Sequence, residues 1–197
     1  MRKNRVEKVA LYKRDRTKVE QFADARCGEN QDVYRSRGGF KREDIVVGAL
    51  AEIAVARYLR KNGFKVNLPD FKIYKRGKKS FNADLTDGER HFHVKGQSLS
   101  SAYRYGNSWL MQRYDPLVKE PTRMHYIVPC EVDTRNNTVT IFGVISFTAL
   151  HYHHCFMDCK VPQFNKTKTA IYLDALNNIS NTARWGLINK GTLTRDK

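Results

Sequence analysis

The dipeptide Asp87-Gly88 constrains this chain's fold more than any other feature of its sequence. A type I′ turn needs positive φ at both central residues, which Asp tolerates and Gly adopts freely. Strand-like runs flank it, Phe81-Asn82-Ala83-Asp84-Leu85 before and His91-Phe92-His93-Val94-Lys95 after. The second run alternates, so Phe92 and Val94 point to one side while His91, His93 and Lys95 point to the other. With Thr86 and Glu89 flanking the turn, Asp84 is expected opposite His91 and diagonal to His93. A carboxylate, imidazoles and an ammonium then share one side of a sheet whose other side is apolar. Such a face is either a solvated exterior or a chemical site.

A second element bears on that choice. Lys41–Asn62 carries the strongest helical pattern in the chain, with Gly63 as its C-terminal stop. At ~100° per residue, Ile45, Ala49, Ala56 and Leu59 form one apolar stripe, and Glu52 falls in its middle. A carboxylate on a buried face is costly in isolation, so Glu52 is expected to be paired, protonated or bound to a cation. A structural ion pair with Lys95 is one reading and metal binding the other. Both put Glu52 beside the hairpin.

Taken in chain order, Glu52, Asp84, His93 and Lys95 resemble the PD-(D/E)xK nuclease superfamily. Its core has a helix with an acidic residue, a strand bearing Asp, and a strand bearing Glu-x-Lys. Here Asp84 stands in Ala-Asp where the family has Pro-Asp, and His93 occupies the place usually held by Glu or Gln. The resemblance covers Arg42–Ser98 and extends at most to Ser146. It implies an α/β fold with a central mixed β-sheet flanked by helices, a restriction-endonuclease-like core. It also implies Glu52, Asp84, His93 and Lys95 as catalytic residues, with Glu52, Asp84 and His93 as ligands of Mg²⁺ or Mn²⁺.

Charge points to the same class of partner. Thirty-six Lys and Arg against 20 Asp and Glu give +16 over 197 residues, a field that favours a polyanion. Nucleic acid and an anionic membrane surface both satisfy it. No apolar run approaches the ~18–20 residues of a spanning helix, and the charged start Met-Arg-Lys-Asn-Arg has no signal-peptide core. DNA, no membrane, and a cytoplasmic location are the expectations, with a homodimer left open. Cys27, Cys130, Cys155 and Cys159 are too few for a disulfide framework in a chain this long and read as reduced thiols.

The length fits one nuclease domain, with a basic helix and loop over 1–40, a catalytic core over 41–146 and an extension over 147–197. Residues 1–26 read as a charged helix, and Tyr34–Gly39 as a basic loop. Phe64–Leu68 reads as a short strand, followed by a basic loop from Pro69 to Ser80. Leu99–Arg123 has weak periodicity but interleaves aromatic and basic residues, a mixture suited to stacking on bases and binding phosphates. A surface loop held down by its aromatics fits the same residues. Candidate nucleic-acid contacts are Arg35, Arg37, Lys75, Arg76, Lys78, Lys79, Gln97, Tyr103, Arg104 and Arg113. Strands are expected at His125–Val132, Thr138–Ile145 and Lys168–Leu173, and short helices at Phe147–Tyr152 and Asp174–Ile179. The cluster His151, His153, His154, Cys155, Cys159 has zinc-ligating side chains but matches no common finger spacing. The expected activity is metal-dependent endonucleolytic hydrolysis of DNA, in restriction, phage-type DNA degradation or junction resolution. A non-catalytic nucleic-acid-binding protein that kept the fold, and an RNA-directed nuclease, are the rivals.

Overall fold

The computed structural model describes residues 5–29, 42–72, 83–120 and 122–193. Its organising helix, α2 (Arg42–Lys61), forms where the periodicity predicts. Glu43 and Asp44 lie in its first turn and Arg60 and Lys61 in its last, each opposing the helix dipole. Gly63 ends it in a left-handed conformation (φ 92°), with Phe64 N donating to Leu59 O.

α2 packs across a curled mixed sheet in the order β1-β6-β5-β3-β2, with β7 also pairing β5. Its strands are β1 (Glu7–Ala10), β2 (Leu85–Thr86), β3 (His91–Ser98), β5 (His125–Asp133), β6 (Thr138–Ile141) and β7 (Ile145–Ser146). β3 and β5 run parallel, His91 facing His125 and Lys95 facing Pro129, and the other pairings are antiparallel. β6 and β7 share one flank of β5, separated by an offset at Phe142–Val144. Pro129 has no N–H to give a ladder, and it sits opposite that offset, accepting from Phe142 N.

Each sheet face carries its own core. Phe92, Val94, Val128, Cys130 and Val132 face α2 and, beyond it, Val19 and Ala23 of α1 (Lys13–Glu29). Ile127 and Ile145 face a second layer that includes Trp109, Met111, Phe147, Leu150 and Ile171. This layer is built from the antiparallel pair β4 (Ser108–Gln112) and β8 (Lys168–Tyr172), with α5 (Phe147–Tyr152) and α6 (Leu173–Asn177). Trp109 Nε1 donates to Cys130 O, pinning the second layer to the sheet. Short helices α3 (Leu99–Tyr105) and α4 (Pro116–Lys119) flank β4, and α7 (Asn181–Leu193) is the last element among the described residues.

Several elements depart from the sequence reading. Residues 7–10 form strand β1 rather than the start of a helix, because the free edge of β6 offers a ladder that local helix propensity does not outweigh. Residues 64–68 form no strand, and Asn67 N donating to Thr86 O is their main-chain link to β2. β4 emerges from the stretch read as irregular. Arg184, in the extension over 147–197, is fully buried on α7, where it donates to Phe142 O and Asn177 Oδ1. Burial pushes its pKa down from the ordinary arginine value. All four cysteines are free thiols, and burial pushes the Cys155 thiol up to about 11. Among the described residues no helix is long and apolar enough to cross a membrane.

Candidate active site

Gly96 sets the approach of helix to strand. A Cβ there would lie 3.0 Å from Val47 O and 3.1 Å from Ala51 Cβ, so α2 rests directly on the β3 backbone. Glu52 is the next residue after Ala51. The stripe Ile45, Ala49, Ala56, Leu59 is buried as expected, but Glu52 is half-exposed at the margin of that face rather than at its centre. Val46, Val47, Leu50, Ala51, Ala54 and Val55 are buried as well, since α2 is covered by both the sheet and α1.

The hairpin is displaced by two residues from its expected register. Thr86 pairs with His91 and Leu85 with Phe92, leaving Asp87–Arg90 as the loop. Asp87 causes this: its Oδ1 accepts from Glu89 N and Arg90 N, and its Oδ2 holds Arg90 Nε at 2.9 Å. Side-chain bonds of this kind stabilise a longer loop than a type I′ turn provides. A shift of two preserves the faces but brings Asp84 into line with His93 instead of His91.

After two pairs β2 leaves β3. Val94 N, which a continued ladder would bond to backbone, donates instead to Asp84 Oδ2 at 2.8 Å. The amide and carbonyl of one strand residue point the same way, so the Val94 carbonyl projects toward this edge too. Lys95, the next residue, is half-buried on the opposite face from α2 and has no ion-pair partner among the described residues. The structural pair between Glu52 and Lys95 is therefore not formed. α2 lies on one face of β3 at Gly96, Lys95 projects from the other face, and Asp84 is bonded at the strand edge at Val94.

His93 turns away from that edge. Its Nε2 lies 3.0 Å from Nδ1 of His125 on β5, the His125 ring stacks on His91 at 4.6 Å, and Phe147 packs edge-on against His93. Burial, then the charge of Lys95 and the other two imidazoles, lowers the His93 pKa to about 4. Burial likewise lowers His125, with Asp115 pulling the other way. Both imidazoles are thus neutral near pH 7, and one donates to the other. The expected ligand nitrogen of His93 is committed to His125, a partner that only the parallel pairing of β3 with β5 supplies. Among the described residues no three His, Cys, Asp or Glu side chains form a metal-binding group, and this includes the cluster from His151 to Cys159.

The candidate nucleic-acid contacts divide. Arg35, Arg37, Lys75, Arg76, Lys78 and Lys79 lie outside the described residues, as do both basic loops' centres. Gln97 does not face solvent ligands: its Oε1 accepts from Ser108 N and its Nε2 donates to Gly106 O, stitching β3 to the start of β4. Arg113 is anchored to Asp158 and Lys168 O beside β8. Tyr103 is 95% exposed on α3, which leaves the end of β3, and the neighbouring Arg104 lies over the ring of Tyr105. Compared with known proteins, the chain matches no family model, no curated protein and no solved structure.

Proposed function

We propose that this chain is a divalent-metal-dependent endonuclease acting on DNA, with the restriction-endonuclease-like core that its motif order suggests. The observation that carries this reading is the open edge of β3, where Asp84 replaces the departed strand on Val94 N, next in the chain to Lys95 and two residues from Gly96, on which the helix of Glu52 rests. The donors offered are two carboxylates and a strand-edge carbonyl, all hard oxygens, which fits Mg²⁺ or Mn²⁺ completed by water. Asp84, Glu52 and the Val94 carbonyl would hold it. When bound, such an ion neutralises charge on the scissile phosphate and makes a bound water more acidic.

The rest is done by side chains. Val94 N orients the Asp84 carboxylate. Lys95, with no carboxylate to neutralise it among the described residues, offers its ammonium to the charge that develops on the phosphorus oxygens. The surplus of +16 draws the polyanion to the surface, and Tyr103 offers an exposed ring to a base. One observation favours the non-catalytic alternative: His93 fills the family's Glu or Gln place and is bonded to His125 rather than left for an ion.

Supercoiled plasmid incubated with Mg²⁺ or Mn²⁺ separates the two. Wild-type protein should nick it, Asp84→Asn and Glu52→Gln should not, and Lys95→Ala should be slower by about 10²–10³ in single turnover. Binding should persist in all four and weaken steeply with salt, by about 0.9 in log–log slope per neutralised phosphate. Wild type that cuts duplex, single-stranded and branched DNA no faster than Lys95→Ala overturns the enzyme and leaves the binding protein.

A further inference from the structure

Ile53, Arg57 and Arg60 follow one another along α2 on the side that faces α1 and the segment 68–71. Between these three elements lies a pocket of about 260 Å³. Its walls are apolar, with Ile53, Leu68 and Phe71, and Leu68 remains 63% exposed at the mouth. Its rim is cationic. The carboxylate among the described lining residues, Asp15, is already engaged, since its Oδ2 accepts from Arg57 Nη2 and from Tyr12 N, both at 2.7 Å. Arg60 is partly engaged through Val66 O. Lys18 makes no ion pair among the described residues, and its ammonium lies 4.9 Å from the centre of the Phe71 ring.

An apolar wall beside an ammonium that has no ion pair among the described residues selects a planar ring that carries an anion. Position narrows the choice further. Ile53 is the residue after Glu52, and Leu68 is the residue after Asn67, whose N–H is bonded to Thr86, two residues from Asp84. The pocket thus shares α2 with Glu52, on the side turned toward α1 rather than the side that rests on β3 through Val47 and Ala51. At about 260 Å³ it falls just under the usual range of ligand pockets, which begins at ~300 Å³, and suits no more than one nucleotide.

We propose that this pocket holds a single unpaired nucleotide of the DNA strand, its base against Phe71 and Leu68 and its phosphate on Lys18. The inference rests on the nuclease reading for the ligand's identity. It narrows the substrate to DNA with an unpaired nucleotide beside the cut, as in single strands, flaps or branches.

The test is equilibrium dialysis of deoxyadenosine monophosphate against the full chain in EDTA, which removes any contribution from divalent ions. Saturable binding is expected, with deoxyadenosine and inorganic phosphate each weaker by about tenfold. Leu68→Glu puts a carboxylate into the apolar wall that meets the base and sets a negative charge near the phosphate; Leu68 is exposed, so the fold is kept and affinity should fall by about tenfold, with a smaller loss in Lys18→Ala. Preference for single-stranded over duplex DNA in cutting should disappear in Leu68→Glu. No saturable binding, or unchanged binding in Leu68→Glu, overturns the pocket even if plasmid is cut. Binding without any cutting keeps the pocket and overturns the nuclease.

Discussion

Gly96→Ala and Gly48→Ala are the same chemical change at two positions where opposite effects are expected. At Gly96 the new methyl would meet Val47 O at 3.0 Å, Ala51 Cβ at 3.1 Å and Val47 Cγ1 at 3.3 Å. The first of these is backbone in the middle of α2, so no rotamer change relieves it and the helix must move out by a few tenths of an ångström. Overpacking of this kind costs about 1–3 kcal/mol, and the stiffer unfolded chain returns about 0.4–1 kcal/mol. The net loss is about 1–2 kcal/mol. For a chain this long, at about 2–4 °C per kcal/mol, Tm should drop by about 2–8 °C. Gly48 sits on α2 with nothing within 4 Å of an added Cβ, so alanine there should add about 0.5–1 kcal/mol. Urea and thermal unfolding followed by circular dichroism read both. Because Glu52 rides on the displaced helix, Gly96→Ala should also lose cleavage beyond its loss of folded protein. Equal or greater stability in Gly96→Ala would show that α2 does not rest on β3 at this point, and the placement of Glu52 would fall with it.

Other outcomes follow from the same contacts. The folded pKa of His93 is lowered to about 4 from 6.5, so the unfolded chain binds the extra proton first. Its stabilising contribution is complete above about pH 6.5 and is lost as pH falls toward 4, by at most about 3 kcal/mol before solvent screening. His93→Leu should flatten the stability–pH curve over that window in urea titrations, and an unchanged slope would refute the burial of a neutral imidazole. Gln97→Ala removes both links to the start of β4 and should cost about 1–2 kcal/mol, while DNA affinity at fixed salt stays the same. A loss of affinity with no loss of stability would return Gln97 to the DNA-binding surface.

Local pattern was enough wherever one element carried its own signal. The periodicity and end residues of α2, the alternation of β3, the strand beginning at His125, helix α5 and strand β8 stand where the sequence puts them, whereas the strand expected over Thr138–Ile145 stops at Ile141 and resumes as the separate β7. Each depends on spacings of two, three or four residues, which the sequence states directly. The same holds for the shared face of His91, His93 and Lys95.

What the sequence left open depends on partners far away in the chain. β1 is a strand because β6 has an edge to fill. Asp84 lies against Val94 because Asp87 lengthens the loop and β2 then departs. His93 is neutral and bonded to His125 because β5 runs parallel to β3 across an intervening stretch of more than 20 residues. Gln97, an amide that reads as a contact for DNA, mimics backbone for Gly106 and Ser108, and Arg184 is buried on carbonyl and amide oxygens. A polar side chain has the same donors and acceptors on a surface and in an interior, so its residue type alone does not say which groups will satisfy them. That is decided by which backbone groups the folded chain leaves within about 3 Å.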